Sequence, residues 1–443
     1  MRVKDVTDYL RAVPAPCRRA RLAACRAIVL LALLPGVAPA QDVPGSRDTL
    51  LARLTGEALM ANPGARRADA LARSAEARIR PAGALPDPMA SAGVMDFVLP
   101  SFAFRESDFT EVDLEARQEL PWPGTLRART DAARATAVSK RSEAAATRRE
   151  VVVAVARTYF RLRYVVSARA TLARQRALFG SAVEIATARY ASGSAPQADP
   201  LQARLARARL DVDETWLVAE EASLRAELGA LRDRSGRDSL TVTPIEPMLD
   251  HLTSLHERVA TLETSTTADH PSLSARRQGI EAARAAARVE SFGVKPDFTL
   301  TLRYGARPIA SDFFSAFVGL RVPIWAGRKQ HRLADAAREE TRAAEAELAT
   351  AERALEAERS TLQAGIAAAW RRIEILASQV IPAARETTEA ALRSYRVGQV
   401  DFLNLLATQD SQYRTEVELA MAIADHLTHL VMLEELVRPG EEQ

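Results

Sequence analysis

Cysteine is nearly missing: the 443 residues hold two, Cys17 and Cys25, both close to the N-terminus. Beyond them there is no thiol to form a disulfide, attack a substrate or bind a metal, whatever the redox compartment. Aromatic residues are only 5% of the chain and charged ones 26%, thin material for one large globular core. Hydrophobic residues still reach 47%, which excludes a disordered chain, and long helices packed through Ala and Leu fit both figures. There is no G-x-S-x-G elbow, phosphate-binding loop, dinucleotide fingerprint or H-E-x-x-H pair, so the sequence makes no case for an enzyme and no cofactor is expected. Histidine is scarce as well. His426 and His429 are spaced i, i+3 and in principle could share a metal ion, but no third ligand lies near them in sequence, and they read as a helical packing pair. His251 and His256 do not share a helical face.

No apolar run is long enough to cross a bilayer as a helix. The greasiest stretch, Ala27 to Leu34, follows Arg18, Arg19, Arg21 and Arg26 and precedes Ala38-Pro39-Ala40. Residues 1–40 therefore read as a secretory leader, with cleavage between Ala40 and Gln41. Leu22-Ala23-Ala24-Cys25 has the look of a lipoprotein box, but the apolar core follows that cysteine instead of preceding it. The leader also carries seven of the 60 basic residues and two of the 57 acidic ones, so 53 against 55 remain after its removal. The formal charge of +3 becomes −2, and a nucleic-acid partner has no electrostatic support.

What the chain does have is one long pattern, written twice. Leu120-Pro121-Trp122-Pro123-Gly124 closes a strand-rich region, and Arg189-Tyr190-Ala191-Ser192-Gly193 closes the helical run that follows. Val322-Pro323-Ile324-Trp325-Ala326-Gly327 and Ser394-Tyr395-Arg396-Val397-Gly398 take the same roles later, and the glycine separations are 69 and 71 residues. A period of about two hundred residues is too long for a solenoid unit and points to a duplicated module. The expected division is a leader at 1–40, a first repeat at 41–250 and a second at 251–443.

Each repeat opens with a helix: 47–80, interrupted at Asn62-Pro63-Gly64, and 269–292, begun by Asp269-His270-Pro271. Strands are expected at 89–99, 109–120, 298–304 and 314–322, where apolar residues alternate with polar ones. One such segment alone reads as a half-buried strand of a soluble sheet. Their length of about ten residues suits a membrane barrel instead, and nine of the twelve phenylalanines, Phe97, Phe102, Phe104, Phe109, Phe292, Phe298, Phe313, Phe314 and Phe317, lie in or beside them. On that reading Val112, Leu114, Leu300, Leu302, Val318 and Leu320 face lipid, and Arg303 and Arg321 face a water-filled interior. Four strands are too few for a single-chain barrel, which needs at least about eight, so several chains must share it.

From Thr125 to Tyr190 and from Arg328 to Tyr395 the only internal proline is Pro382. A 67-residue helix is about 100 Å long and needs a partner along its length. Return helices at 197–232 and 401–437 supply one, with a linker at 233–250 between the repeats. The reversals at Tyr190, Gly193, Ser194 and Ala195 and at Tyr395, Val397, Gly398, Gln399 and Val400 read as equivalent tips at one end of the molecule.

These ordered motifs, with Gly83-Ala84-Leu85-Pro86-Asp87-Pro88, Gln118-Glu119-Leu120 and Lys295-Pro296-Asp297-Phe298, make the chain resemble the TolC family of outer-membrane efflux ducts, especially its CusC-like and CzcC-like heavy-metal branch. The resemblance covers nearly all of the chain after the leader. It implies a mainly α fold with a small β part: antiparallel helical hairpins forming a tunnel, and four strands per chain closing a twelve-stranded barrel in a homotrimer. It further implies outer-membrane lipid around the barrel, the outer membrane of a Gram-negative bacterium as the location, a periplasmic adaptor docking at the tip turns, and an inner-membrane pump of the RND type. The function so implied is a passive exit duct, with heavy-metal ions as the exported class and organic solutes or drugs as the alternative. The lipid-anchor cysteine of some members is absent, since Gln41 stands at the mature N-terminus. A periplasmic coiled-coil adaptor or structural protein is the competing reading; it explains the hairpins but has no need of alternating, aromatic-rich strands.

Overall fold

Asparagine and proline together start the second helix. In the computed structural model, which describes residues 48–96, 105, 107–235, 240–263, 265 and 267–438, helix α1 spans Thr49–Ala61 and α2 spans Pro63–Ala77, with Pro63 in the first turn. The Asn62 side chain caps α2 by accepting the Ala65 amide at 3.1 Å. A single turn, α3 at Ile79–Ala82, ends this run. The expected leader, with Cys17, Cys25 and the Ala40–Gln41 cleavage site, lies outside the described residues, as do Phe97, Phe102 and Phe104.

Strands β1 (Met89–Met95) and β2 (Glu111–Leu120) follow, then α4 (Thr125–Ala191) and α5 (Ala198–Leu231). A connector carries α6 (Leu249–Glu257) and α7 (Val259–Glu263) to α8 (Pro271–Phe292). The expected division between residues 250 and 251 falls inside α6. Strands β3 (Asp297–Ala306) and β4 (Phe313–Arg321) lead into α9 (Gln330–Ile375), α10 (Ile381–Arg396) and α11 (Phe402–Val437). Both halves thus run helix, two strands, long hairpin, and the whole is mainly helical with one small sheet.

The run expected as one helix from Arg328 to Tyr395 departs from regularity in the middle. Leu376–Val380 forms a π-helical turn before Pro382. A proline in a helix donates no hydrogen bond and crowds the carbonyl four residues back, here that of Ser378, and widening the helix by one residue absorbs the misfit.

Side-chain size sets how the helices meet. Toward the sheet, α4 lies on α8 through Ala137, Ala144, Ala275 and Ala285, all buried, so the backbones approach closely. Its middle is thicker. Val155, Tyr159, Leu162, Val165 and Leu172 are almost fully buried there, because α1 and the connector cover one side while α5 and α11 cover others. The connector is tied down by a buried polar cluster. Arg163 donates to Asp48 at 2.7 Å and to the carbonyls of Thr243 and Pro244 at 3.2 and 2.7 Å, and the Tyr159 hydroxyl also donates to Asp48. Such a cluster tolerates burial because nearly every donor has a partner.

Candidate functional site

Period-two alternation becomes two faces once the register is known. The sheet is antiparallel in the order β1-β2-β3-β4, with Val112 opposite Val94, Leu114 opposite Tyr304, Leu300 opposite Val318, and Phe298 opposite Leu320. Val112, Leu114, Leu300, Leu302, Val318 and Leu320 therefore share one face with Ala90, Ala92, Val94, Ala116, Tyr304, Phe314 and Ala316. Val318 is 78% exposed and Phe314 68%, so among the described residues nothing covers these parts of the face. Among its residues only Gln118 is strongly polar, and its amide donates to the Pro86 carbonyl at 2.8 Å.

Arg303 and Arg321 lie on the opposite face with Glu111, Asp113, Glu115, Arg117, Glu119, Asp297 and Thr301. Arg303 bridges Glu111 and Asp113, and Arg321 reaches Glu119 at 3.1 Å and Asp297 at 3.6 Å. Two phenylalanines break the polar pattern there: Phe317, which is 56% exposed, and Phe313, whose ring has the guanidinium groups of Arg303 and Arg307 at 5.7 and 5.2 Å. At the helical end Trp122 stacks on Phe298 at 5.8 Å, and Trp325 is 66% exposed. The ladders leave β1 and β4 each with one unpaired edge. Among the described residues no helix is long and apolar enough to cross a membrane.

The far ends of the hairpins make the second site. Gly193 and Gly398 both have φ of +75°. In each turn the residue after the glycine donates to the carbonyl five back, Ser194 to Arg189 and Gln399 to Ser394, while the glycine amide donates to Tyr190 or Tyr395. Both are Schellman endings, and Tyr190 and Tyr395 occupy equivalent positions in them. The tips do differ in one respect. Tyr190 stays 45% exposed, whereas Tyr395 is 1% exposed, packs on Phe402 at 5.3 Å and donates its hydroxyl to Asp199 at 3.1 Å. Burial, followed by the bond to Asp199, pushes the Tyr395 hydroxyl up to about 12.

Arg189 completes the link between the tips. It lies over the Tyr395 ring at 4.7 Å and donates to the Tyr395 and Ser194 carbonyls. Two turns about two hundred residues apart in sequence are thereby locked side by side through Arg189, Asp199 and Tyr395, a lock that spacing in the sequence does not reveal. Ser194, Val397 and Gln399 stand exposed at the surface of the pair, while Ala195 and Val400 are half-buried.

Among the described residues no three His, Cys, Asp or Glu side chains are placed to hold a metal ion. His426 is buried in helix packing, and His256, which helical spacing gives no reason to single out, lies beside it.

A family model described as outer membrane efflux protein matches residues 54–230 and 264–437. Among solved structures, the outer membrane protein VceC from Vibrio cholerae is 18% identical with a TM-score of 0.72, covering 90% of this chain and 98% of that one. The Campylobacter jejuni CmeC outer membrane channel is 13% identical with a TM-score of 0.75, covering 97% and 96%. CusC, described for its transmembrane channel formation, is 16% identical with a TM-score of 0.72, covering 88% and 92%. These values do not set the CusC branch apart from the others. No curated protein matches.

Proposed function

Since the chain belongs to the outer membrane efflux protein family, we propose that it is the outer-membrane channel of a tripartite efflux system, a passive duct that carries substrates across the periplasm and out of the cell. The observation that carries this reading is the four-stranded sheet with one apolar face, one charged face and two unpaired edges. An open edge is not tolerated in hydrocarbon, because no water is present to satisfy its amides and carbonyls. Copies of the chain must therefore close the sheet, and three copies give twelve strands. The apolar face then meets lipid, and the face with Arg303 and Arg321 lines water.

The helical part supports a ring as well. On α5, Leu201, Leu205, Val212 and Trp216 are 55%, 54%, 69% and 54% exposed along one side, an apolar stripe that a neighbouring copy would cover.

At the other end, the paired tips offer exposed Val397, Gln399 and Ser194 to the helices of a periplasmic adaptor, which links the duct to an inner-membrane pump of the RND type. Energy comes from the pump. Opening is a shift between two packings of the hairpins, resisted by the lock of Tyr395 on Asp199 and Arg189. Heavy-metal ions are the proposed cargo, and an export assay that sets metal salts against organic drugs separates that class from its alternative. The duct reading itself is tested by fractionating cells that express the full chain and measuring the native mass in mild detergent. The expected result is outer-membrane material with the mass of three chains. A soluble periplasmic monomer would favour an adaptor or structural coiled coil.

A further inference from the structure

Three of the chain's six histidines gather where the connector crosses the second hairpin. The His256 ring, on α6, stacks on Trp370 of α9 at 4.2 Å with the planes 4° apart. His426 of α11 completes the group, 5.6 Å from Trp370 and 5.4 Å from His256, tilted by 44° to each. It is wholly buried, and neither ring nitrogen has a hydrogen-bond partner. A buried polar group left in that condition costs about 1–3 kcal/mol, so it calls for an explanation. His429, one turn further along α11, packs its Nδ1 against Gly365 of α9, where a Cβ would lie only 2.7 Å away. Beside the ring stack, Arg258 at the end of α6 pairs with the buried Glu434 of α11 at 2.9 Å.

We infer that the His256–Trp370–His426 stack is a proton-operated clasp, which fastens the connector to α9 and α11 and releases it on acidification. The surroundings favour this direction. The titratable groups acting on His426 are His256 and His429, both bases. Asp425 is influenced by His429, by Arg372 of α9 and by Arg161 of α4, and Glu434 by Arg258, Glu435 and Arg438. No carboxylate in either group offsets a charge on His426. The Ile366 backbone is close enough to favour a proton there but is not in hydrogen-bonding geometry. A second proton on His426 would place a cation in an apolar stack next to two further bases, so the docked arrangement requires neutral imidazole.

Burial, with the neighbouring His256, lowers the His426 value from 6.5 to about 4. A group with a value depressed in this way is proton-poor when docked and proton-rich when released, so docking is at full strength above 6.5 and weakens as the pH falls toward 4. At pH 5 the two values give an opening equilibrium greater by up to about 30-fold. Glu434 has the opposite sign: burial raises its value to about 7, so the docked form holds its proton more tightly and acidification favours docking through this group. The two effects mix in the unaltered protein, so the measurement has to be local and made with Glu434 rendered non-titrating.

The test is hydrogen exchange of the full-length Glu434→Gln protein, in which only His426 of the two groups titrates, in mild detergent at pH 7.5 and pH 5.0 with labelling times scaled for the intrinsic exchange rate. The α6 amides, residues 249–257, should lose protection by roughly 10- to 30-fold at pH 5.0 while the tips at 190–200 and 395–401 do not change. His426→Leu and His426→Phe both remove the titrating ring and should reduce the loss to under about threefold, and if one fails to accumulate the other serves. Equal protection at the two pH values with His426 present, or a full loss that persists in the His426 variants, overturns the clasp.

Discussion

Val318→Arg should abolish assembly in the outer membrane while Ser315→Arg leaves it close to normal. The two residues are three apart on β4 and lie on opposite faces. Val318 sits mid-strand opposite Leu300 and is 78% exposed in the single chain. An arginine facing lipid at the bilayer midplane costs about 2–4 kcal/mol, and in a ring of three copies the cost is about 6–12 kcal/mol. That is comparable with the whole stability of many folded domains. Ser315 is opposite Arg303 on the face that carries Glu111, Asp113, Glu115 and Glu119, where an added guanidinium meets water and carboxylates. Outer-membrane level and the fraction of chains that run as a trimer before heating provide the readout. If both substitutions are tolerated alike, the apolar face does not meet lipid, and the strands are those of a soluble sheet.

Gly398→Val should leave the trimer in the outer membrane but remove export. At φ of +75° a β-branched residue is strongly disfavoured. Its side chain would also approach Arg189, whose Nη2 already lies 3.1 Å from the position a Cβ would take. Arg189 cannot yield freely, because it holds the Tyr395 and Ser194 carbonyls and covers the Tyr395 ring. Damage is confined to the tips, since the sheet lies many helical turns away. Gly193→Val makes a useful companion. It carries the same backbone strain with nothing within 4 Å of the added Cβ, so it should have the smaller effect. Export and cross-linking to the adaptor are the measurements. Normal values of both for Gly398→Val would mean that the turns are only connections and that docking occurs elsewhere on the helices.

Local chemistry makes much of this fold legible in the order of the residues. Asn62-Pro63 and His270-Pro271 both mark helix starts by their caps, and the side chains make the expected bonds to the Ala65 and Ser272 amides. The strand alternation encodes the two faces because side chains on a strand point alternately up and down. The glycines at the tips follow from the left-handed turn that ends a helix. Contacts between distant residues are not legible in the same way. Tyr395 and Asp199 are 196 positions apart and Arg163 and Asp48 are 115 apart; no periodicity connects them. His256 shares no helical face with His251 and so gives no local signal, whereas its partner in the fold is on another helix altogether. The π turn before Pro382 is an intermediate case, in which the proline is visible in the sequence but the helix's way of accommodating it is not.

The shared barrel is tested most directly by joining its open edges covalently. The sequence has no cysteine after Cys25, so a pair introduced on β1 and β4 has no competing thiol beyond Cys17 and Cys25. Ser91→Cys combined in turn with Ser315→Cys, Phe317→Cys or Gly319→Cys places both thiols on the charged face, at opposite edges of the sheet. If β4 of one copy pairs with β1 of the next, oxidation of membranes should give, for at least one combination, a reducible ladder that ends at three chains. Chains that remain monomeric in every combination, or ladders that continue past three, would contradict a closed ring of three copies.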